Sequence, residues 1–174
     1  KNADSLVFNP HKWMLTNFDC SLYFAKDKEK LIKALEIHPE YLKSEESKIN
    51  NYKDWSLQLG RRFRALKLWF VIRSYGLKGI KRYLKNHIAL AKYLYKRISK
   101  NKNFELTTEL NVNMINFRLN PKFKNLSNKE LDSLNKKLIK TLNNTGKIYL
   151  SHTVINNMYS IRMPIASTTI NKKN

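Results

Sequence analysis

Apolar positions along this chain change period several times, and each change marks an element. From residue 21 to 26 the run Ser-Leu-Tyr-Phe-Ala-Lys predicts a short strand. Asp27 is placed to cap a following helix with an apolar face of Leu31, Ile32 and Leu35. Upstream, Leu6-Val7-Phe8-Asn9-Pro10 mixes apolar and turn residues, and Pro10 argues against a regular element running through it. Residues 38–58 are polar and aperiodic, which predicts a loop long enough to be functional. Phe63, Leu66 and Phe70 then stand at helical spacing in a helix over 61–75, stopped by Gly76. A second helix over 78–100 carries the stripe Ile80, Leu84, Ile88, Ala91, Leu94 and Ile98, with His87 beside it as a structural histidine.

The last third alternates between periods. Residues 104–110 and 112–119 predict strands, and Ile115, Phe117 and Leu119 share one face by period two. Ser127-Asn128-Lys129-Glu130 is a capping box that opens a helix with Leu131, Leu134, Leu138 and Leu142. Residues 147–152 and 159–166 predict two more strands. This part is a small α+β unit. The boundary between two domains is placed near Leu66–Gly76.

Composition narrows the class. The 174 residues are 42% apolar, enough for a core, and no apolar run reaches the length of a membrane span. The net charge of +21 raises nucleic acid or an anionic membrane surface as partners. However, 26 Lys and 21 Asn are scattered along the chain, as biased base composition and a solvated surface would give, and no nucleic-acid motif accompanies them. Neither a nucleic-acid nor a membrane partner is therefore expected. The lone Cys20 excludes an internal disulfide and fits a reducing, cytoplasmic setting. His11, His38, His87 and His152 are far apart and lack ligand spacing, so no metal site is expected. The chain opens on Lys and closes on Asn171-Lys172-Lys173-Asn174 without a covering helix, so a fragment of a longer protein is expected.

One segment carries chemistry: Asn9-Pro10-His11-Lys12-Trp13. A lysine in an otherwise apolar stretch is unusual, and a desolvated one has a lowered pKa and acts as an amine nucleophile. Schiff-base formation with an aldehyde cofactor needs that property, and Asn9 and His11 can offer polar contacts to a phosphate or a substrate. A surface lysine with a buried stem is the competing reading. The arginines Arg61, Arg62 and Arg64 crowd a helix start, where cations oppose the macrodipole, which hints at an anionic or interface partner.

Asp4-Ser5, Phe8-Asn9-Pro10-His11-Lys12-Trp13 and Asn17-Phe18-Asp19-Cys20-Ser21 together closely resemble the pyridoxal-phosphate-dependent aromatic-L-amino-acid decarboxylases, which are group II decarboxylases. The resemblance continues through Pro39-Glu40-Tyr41-Leu42-Lys43, Asp54-Trp55, the run from Leu59 to Phe70, and Arg73-Ser74-Tyr75-Gly76. It resumes at Ile148-Tyr149-Leu150-Ser151-His152-Thr153 and Ile161-Arg162-Met163-Pro164-Ile165, so it spans nearly the whole chain in order.

That resemblance implies an α/β protein of the fold-type I pyridoxal class. Residues 1–66 would be the end of the large cofactor domain, with its mobile loop, and 67–174 most of the small C-terminal domain without its final helix. It implies a homodimer with active sites at the interface. Residue by residue, Lys12 matches the lysine that forms the Schiff base with pyridoxal 5'-phosphate, and Asn9 the residue that contacts its phosphate. His11 lies beside that lysine in the site. Tyr41 matches the loop tyrosine that returns a proton to the substrate carbon after CO2 leaves, and Gly60 a glycine near the phosphate of the neighbouring subunit. In related aldehyde synthases that tyrosine is replaced, so Tyr41 favours decarboxylation of tyrosine, DOPA, tryptophan or phenylalanine to the amine. The loop between Tyr41 and Trp55 is a few residues shorter than in animal members. The aspartate that pairs with the pyridinium nitrogen and the histidine that stacks on the ring belong to upstream sequence, so this piece alone is expected to be inactive. An aromatic aldehyde synthase, a basic nucleic-acid-binding module and an inert gene remnant are the alternatives.

Overall fold

The computed structural model describes residues 2–36 and 51–171, apart from the side chain of Phe123. They fall into two compact units, divided between Ile80 and Lys81.

In the first unit, β1 (Ser5–Phe8) pairs antiparallel with β2 (Leu22–Ala25), in the register Ser5 to Ala25 and Phe8 to Leu22. Phe8 and Phe24 stack across this ribbon with centroids 6.1 Å apart. Pro10 does interrupt the backbone, but between two regular elements. The strand ends before it, and Pro10 itself opens the one-turn helix α1 (Pro10–Trp13), where its missing N–H costs nothing. Helix α2 (Lys28–Leu35) starts as its sequence predicts, with the Asp27 carboxylate accepting the Lys30 N–H at 3.0 Å. Within the stretch expected to be an irregular loop, Tyr52–Trp55 forms a 3-10 turn.

Helix α3 (Arg64–Lys100) is two helical stretches that meet at a kink at Gly76, where the sequence predicts the first helix to stop. Gly76 has φ 63° and ψ 166°, a conformation essentially reserved for glycine, so the kink is written into the residue type. The helix starts at Arg64 rather than Arg61.

In the second unit a four-stranded antiparallel sheet has the order β3 (Phe104–Leu106), β4 (Met114–Leu119), β6 (Met158–Pro164), β5 (Ser151–Ile155). Helix α4 (Asn128–Asn144) packs on β4 and β6 and keeps the full capping box. Ser127 accepts the Glu130 N–H, and the Glu130 carboxylate accepts the Ser127 N–H at 2.8 Å. The core joins Leu90, Ala91 and Ile98 of α3, Ile139 of α4, and Ile115, Phe117 and Ile161 of the sheet.

All four strands are found, with bounds that differ from those expected. The strand from 104 ends at Leu106, and the next begins at Met114 rather than at 112, after Val112 at φ 55° and the bridge between Asn111 and Met114 turn the chain. Residues 147–150 are not strand: Asn143 on α4 takes the place of a neighbouring strand, accepting the Leu150 N–H at 2.8 Å and donating to its C=O at 2.9 Å. The hairpin between β5 and β6 turns on Asn156 and Asn157, both at positive φ, as a tight two-residue connection needs.

His87 is buried, lies edge-on to Tyr83 at 4.2 Å, and has its Nε2 3.1 Å from the Ser167 C=O. Burial pushes its pKa below the ordinary value, despite the opposing hydrogen bond. It is a structural histidine. Among the described residues no His, Cys, Asp and Glu cluster could hold a metal, and no helix is long and apolar enough to cross a membrane.

Candidate active site

The site grows from α1. Two consecutive positions on a helix point about 100° apart, so residues 10 and 12 face nearly opposite directions. Pro10 takes the inward direction and is buried; Lys12 takes the outward one and is exposed. The expectation of a desolvated lysine is thus not met within this chain. Pro10 faces the packed side of the turn, and the Lys12 side of it is open to solvent.

His11 is fixed by Cys20. The Cys20 N–H donates to His11 Nδ1 at 3.0 Å, the Cys20 C=O lies 2.7 Å from the same nitrogen, and that C=O also accepts the His11 backbone N–H at 3.3 Å. When Nδ1 accepts from Cys20, the ring proton sits on Nε2, which is then a donor for an outside acceptor. Phe18, 85% exposed, stands edge-on to the imidazole at 5.0 Å. Asn9 accepts the Ser21 hydroxyl on Oδ1, leaving its Nδ2 as a donor, and its C=O accepts the Lys12 N–H at 2.9 Å.

Gly60 is exposed, and a Cβ built there meets nothing within 4 Å. Its own unit therefore sets no steric demand for glycine at this position. Tyr41 and His38 lie outside the described residues.

Sequence reading missed the contacts of Asp19, Cys20 and Arg64. Arg64 Nε donates to Asp19 Oδ2 at 3.0 Å, and the buried Cys20 thiol lies 4.0 Å from the Arg64 C=O. Partial burial raises the Asp19 pKa, but hydrogen bonding by Arg64, with the charges of Arg64 and Lys67, holds it below its ordinary value. The misplaced cation at the start of α3 was the available signal, and Asp19 is the anion it faces. Beside this pair an open cleft of about 680 Å³ is lined by Cys20, Leu22, Tyr52, Arg61 and Phe63 among others; Lys12 is not part of its lining.

This arrangement presents a primary amine, an imidazole and an amide donor on one turn and its flank. An aldehyde could meet the amine, and an anionic phosphate could meet Asn9 Nδ2. The residues present thus fit a phosphorylated aldehyde cofactor.

Comparison with known proteins agrees with that chemistry. Residues 1–120 match the model of the pyridoxal-dependent decarboxylase conserved domain. The chain is 43% identical over 174 residues to tyrosine decarboxylase 3 of Petroselinum crispum, covering 97% of this chain and 34% of that protein. It is 42% identical over 176 residues to phenylacetaldehyde synthase of Arabidopsis thaliana, covering 99% and 36%. Oryza sativa TDC, solved with PLP and tryptamine, superimposes with a TM-score of 0.88 at 33% identity, over 95% of this chain and 35% of that one. The chain thus spans about a third of the length of the relatives it matches.

Proposed function

The chain belongs to the family of pyridoxal-dependent decarboxylases and carries part of their fold-type I fold, and on that premise we propose that it serves the decarboxylation of an aromatic L-amino acid to its amine and CO2. The observation that carries the reading is the outward Lys12 amine on a turn where Asn9 keeps a free amide donor and Cys20 fixes the His11 ring. Pyridoxal 5'-phosphate, when bound, supplies an aldehyde and an electron sink for the bond that loses CO2.

In this reading Lys12 is the amine that would hold the cofactor through its aldehyde. Asn9 Nδ2 donates to the phosphate. His11 offers its Nε2 to the bound groups, its ring kept in orientation by Cys20. Tyr41 returns a proton to the substrate carbon, a task that needs a positioned acid near a site closed to water. Gly60, free of neighbours in its own unit, leaves room for the phosphate of a second subunit in a homodimer. Residues 1–66 are read as the end of the cofactor domain and 67–174 as most of the small domain. The lone cysteine fits a cytoplasmic protein.

The test is product analysis on the full-length protein with PLP and tyrosine, DOPA, tryptophan or phenylalanine. Amine and CO2 in equal amounts support the reading. Aldehyde, ammonia and peroxide would instead support the second reading, an aldehyde synthase, which the likeness to phenylacetaldehyde synthase keeps in view. A Tyr41→Phe variant should move products from the first set toward the second.

A further inference from the structure

We propose that Arg64 and Asp19 are a positioning pair for Lys12, tying the turn that carries the amine to the first residue of α3; the proposal rests on the role of Lys12 given above. Helix α1 has four residues, too few to hold a helical turn by their own hydrogen bonds. Its hold comes from outside. His11 is gripped by both backbone groups of Cys20, and Cys20 is buried, with its thiol 4.0 Å from the Arg64 C=O. The residue before Cys20, Asp19, accepts from Arg64 Nε at 3.0 Å. A continuous set of contacts therefore runs from Arg64 through Asp19 and Cys20 to His11, the neighbour of Lys12.

The choice of an arginine at this place supports the role. A cation at the start of a helix is disfavoured by the macrodipole, so Arg64 gains nothing there from α3 itself. A carboxylate near the same helix start is favoured, and Asp19 sits within hydrogen-bond distance of the residue that opens α3. Both side chains are about one-third exposed, so the pair is neither dry nor fully screened. The segment bearing Gly60 enters α3 four residues later at Arg64, so the pair also sets where that segment joins the Lys12 turn. Arg64 contacts neither cofactor nor substrate in this account. It acts through Asp19 and Cys20.

The experiment uses the full-length, PLP-loaded protein as wild type, Arg64→Gln, Arg64→Lys, Asp19→Asn and the double variant Asp19→Asn with Arg64→Gln. The rate of loss of visible cofactor absorbance after removal of free PLP is measured, together with kcat and KM. Each of Arg64→Gln and Asp19→Asn should speed cofactor loss about fivefold, the size of effect a partly exposed ion pair supports. The double variant should be no worse than either single one, and Arg64→Lys should recover part of the loss. Reduced kcat with little change in KM should accompany the faster loss. Additive losses in the double variant, or unchanged cofactor retention in the single variants, would overturn the pair. Should Arg64→Gln fail to fold, Asp19→Asn against Arg64→Lys decides the same question. A wild-type protein that binds PLP but releases no amine refutes the functional reading, and the retention series still judges the pair. A wild type that binds no PLP overturns both.

Discussion

The two compact units differ in how far they satisfy themselves. The second buries Ala91, Ile115 and Ile161 completely, around a four-stranded sheet and two helices. The first carries every described residue of the candidate site, yet among its described residues few apolar side chains are buried, Leu68 and Ile80 among them. Phe18, Leu57, Phe63, Trp69 and Phe70 are all more than half exposed there. Its ribbon β1–β2 has two strands, fewer than a sheet needs to stand alone. An apolar surface of this kind marks a face that other structure covers. The difference teaches that the second unit closes its own core, whereas the first holds the candidate site on elements whose apolar faces are open in this chain.

The comparison can be broken most directly by separating its halves. Residues 81–174 alone should unfold cooperatively in denaturant, whereas residues 1–80 alone should bind a hydrophobic dye and melt without a sharp transition. Cooperative unfolding of both pieces would remove the contrast. Next in size, Ile115→Ala should cost the second unit about 2–5 kcal/mol, the range for emptying a closed core, while Phe18→Ser in the first should change the stability of this chain by less than about 0.5 kcal/mol. Equal costs in chemical denaturation would contradict the account.

A smaller effect concerns a buried polar group. Asn135 is fully buried on α4, accepts the Leu119 N–H at 2.8 Å, and donates to the C=O groups of Leu119 and Leu131. Asn135→Ala strands those groups and should cost about 1–3 kcal/mol; a cost near zero would show that water replaces the side chain.

The smallest effect is on pH dependence in the second unit. Burial holds the His87 pKa below its ordinary 6.5, so the unfolded chain binds more protons below that value and stability falls as the pH drops from 6.5 toward the folded value. Glu105 acts in the same direction at lower pH. Partial burial raises its pKa, but hydrogen bonds from Asn120 and Arg118, with the charges of Arg118 and Lys122, leave it below 4.5. Its stabilisation is complete above 4.5 and is lost as pH falls through that lowered value. Melting temperatures should therefore fall from pH 7 to 5, and His87→Asn should flatten that fall. An unchanged slope would remove His87 from the balance.

Local signals in the sequence were read well. The capping box at Ser127 and Glu130, the stop at Gly76 and the alternation of Ile115 and Phe117 each depend on residues within a few positions of one another. Features set by distant partners were not legible. Asn135 interrupts a leucine stripe because it closes the end of β4, and Arg118 is buried on a strand because Glu105 faces it at 2.9 Å. The bond between Asp19 and Arg64 spans 45 residues, and periodicity says nothing over that distance. In the candidate site the residue types of Asn9, His11 and Lys12 pointed to the chemistry, but the turn of α1 that buries Pro10 and leaves Lys12 exposed was not legible in them. The part assigned to Tyr41 rests on the sequence alone, because that residue lies outside the described ones.

The central claim is that Lys12 holds the cofactor aldehyde. The full-length protein should be loaded with PLP, reduced with borohydride, digested and analysed by mass spectrometry. The account predicts one stoichiometric pyridoxyl label, on Lys12 within Asn9-Pro10-His11-Lys12-Trp13, and its loss in Lys12→Ala together with the visible absorbance. A stoichiometric label on another lysine, or the same absorbance in Lys12→Ala, would contradict it.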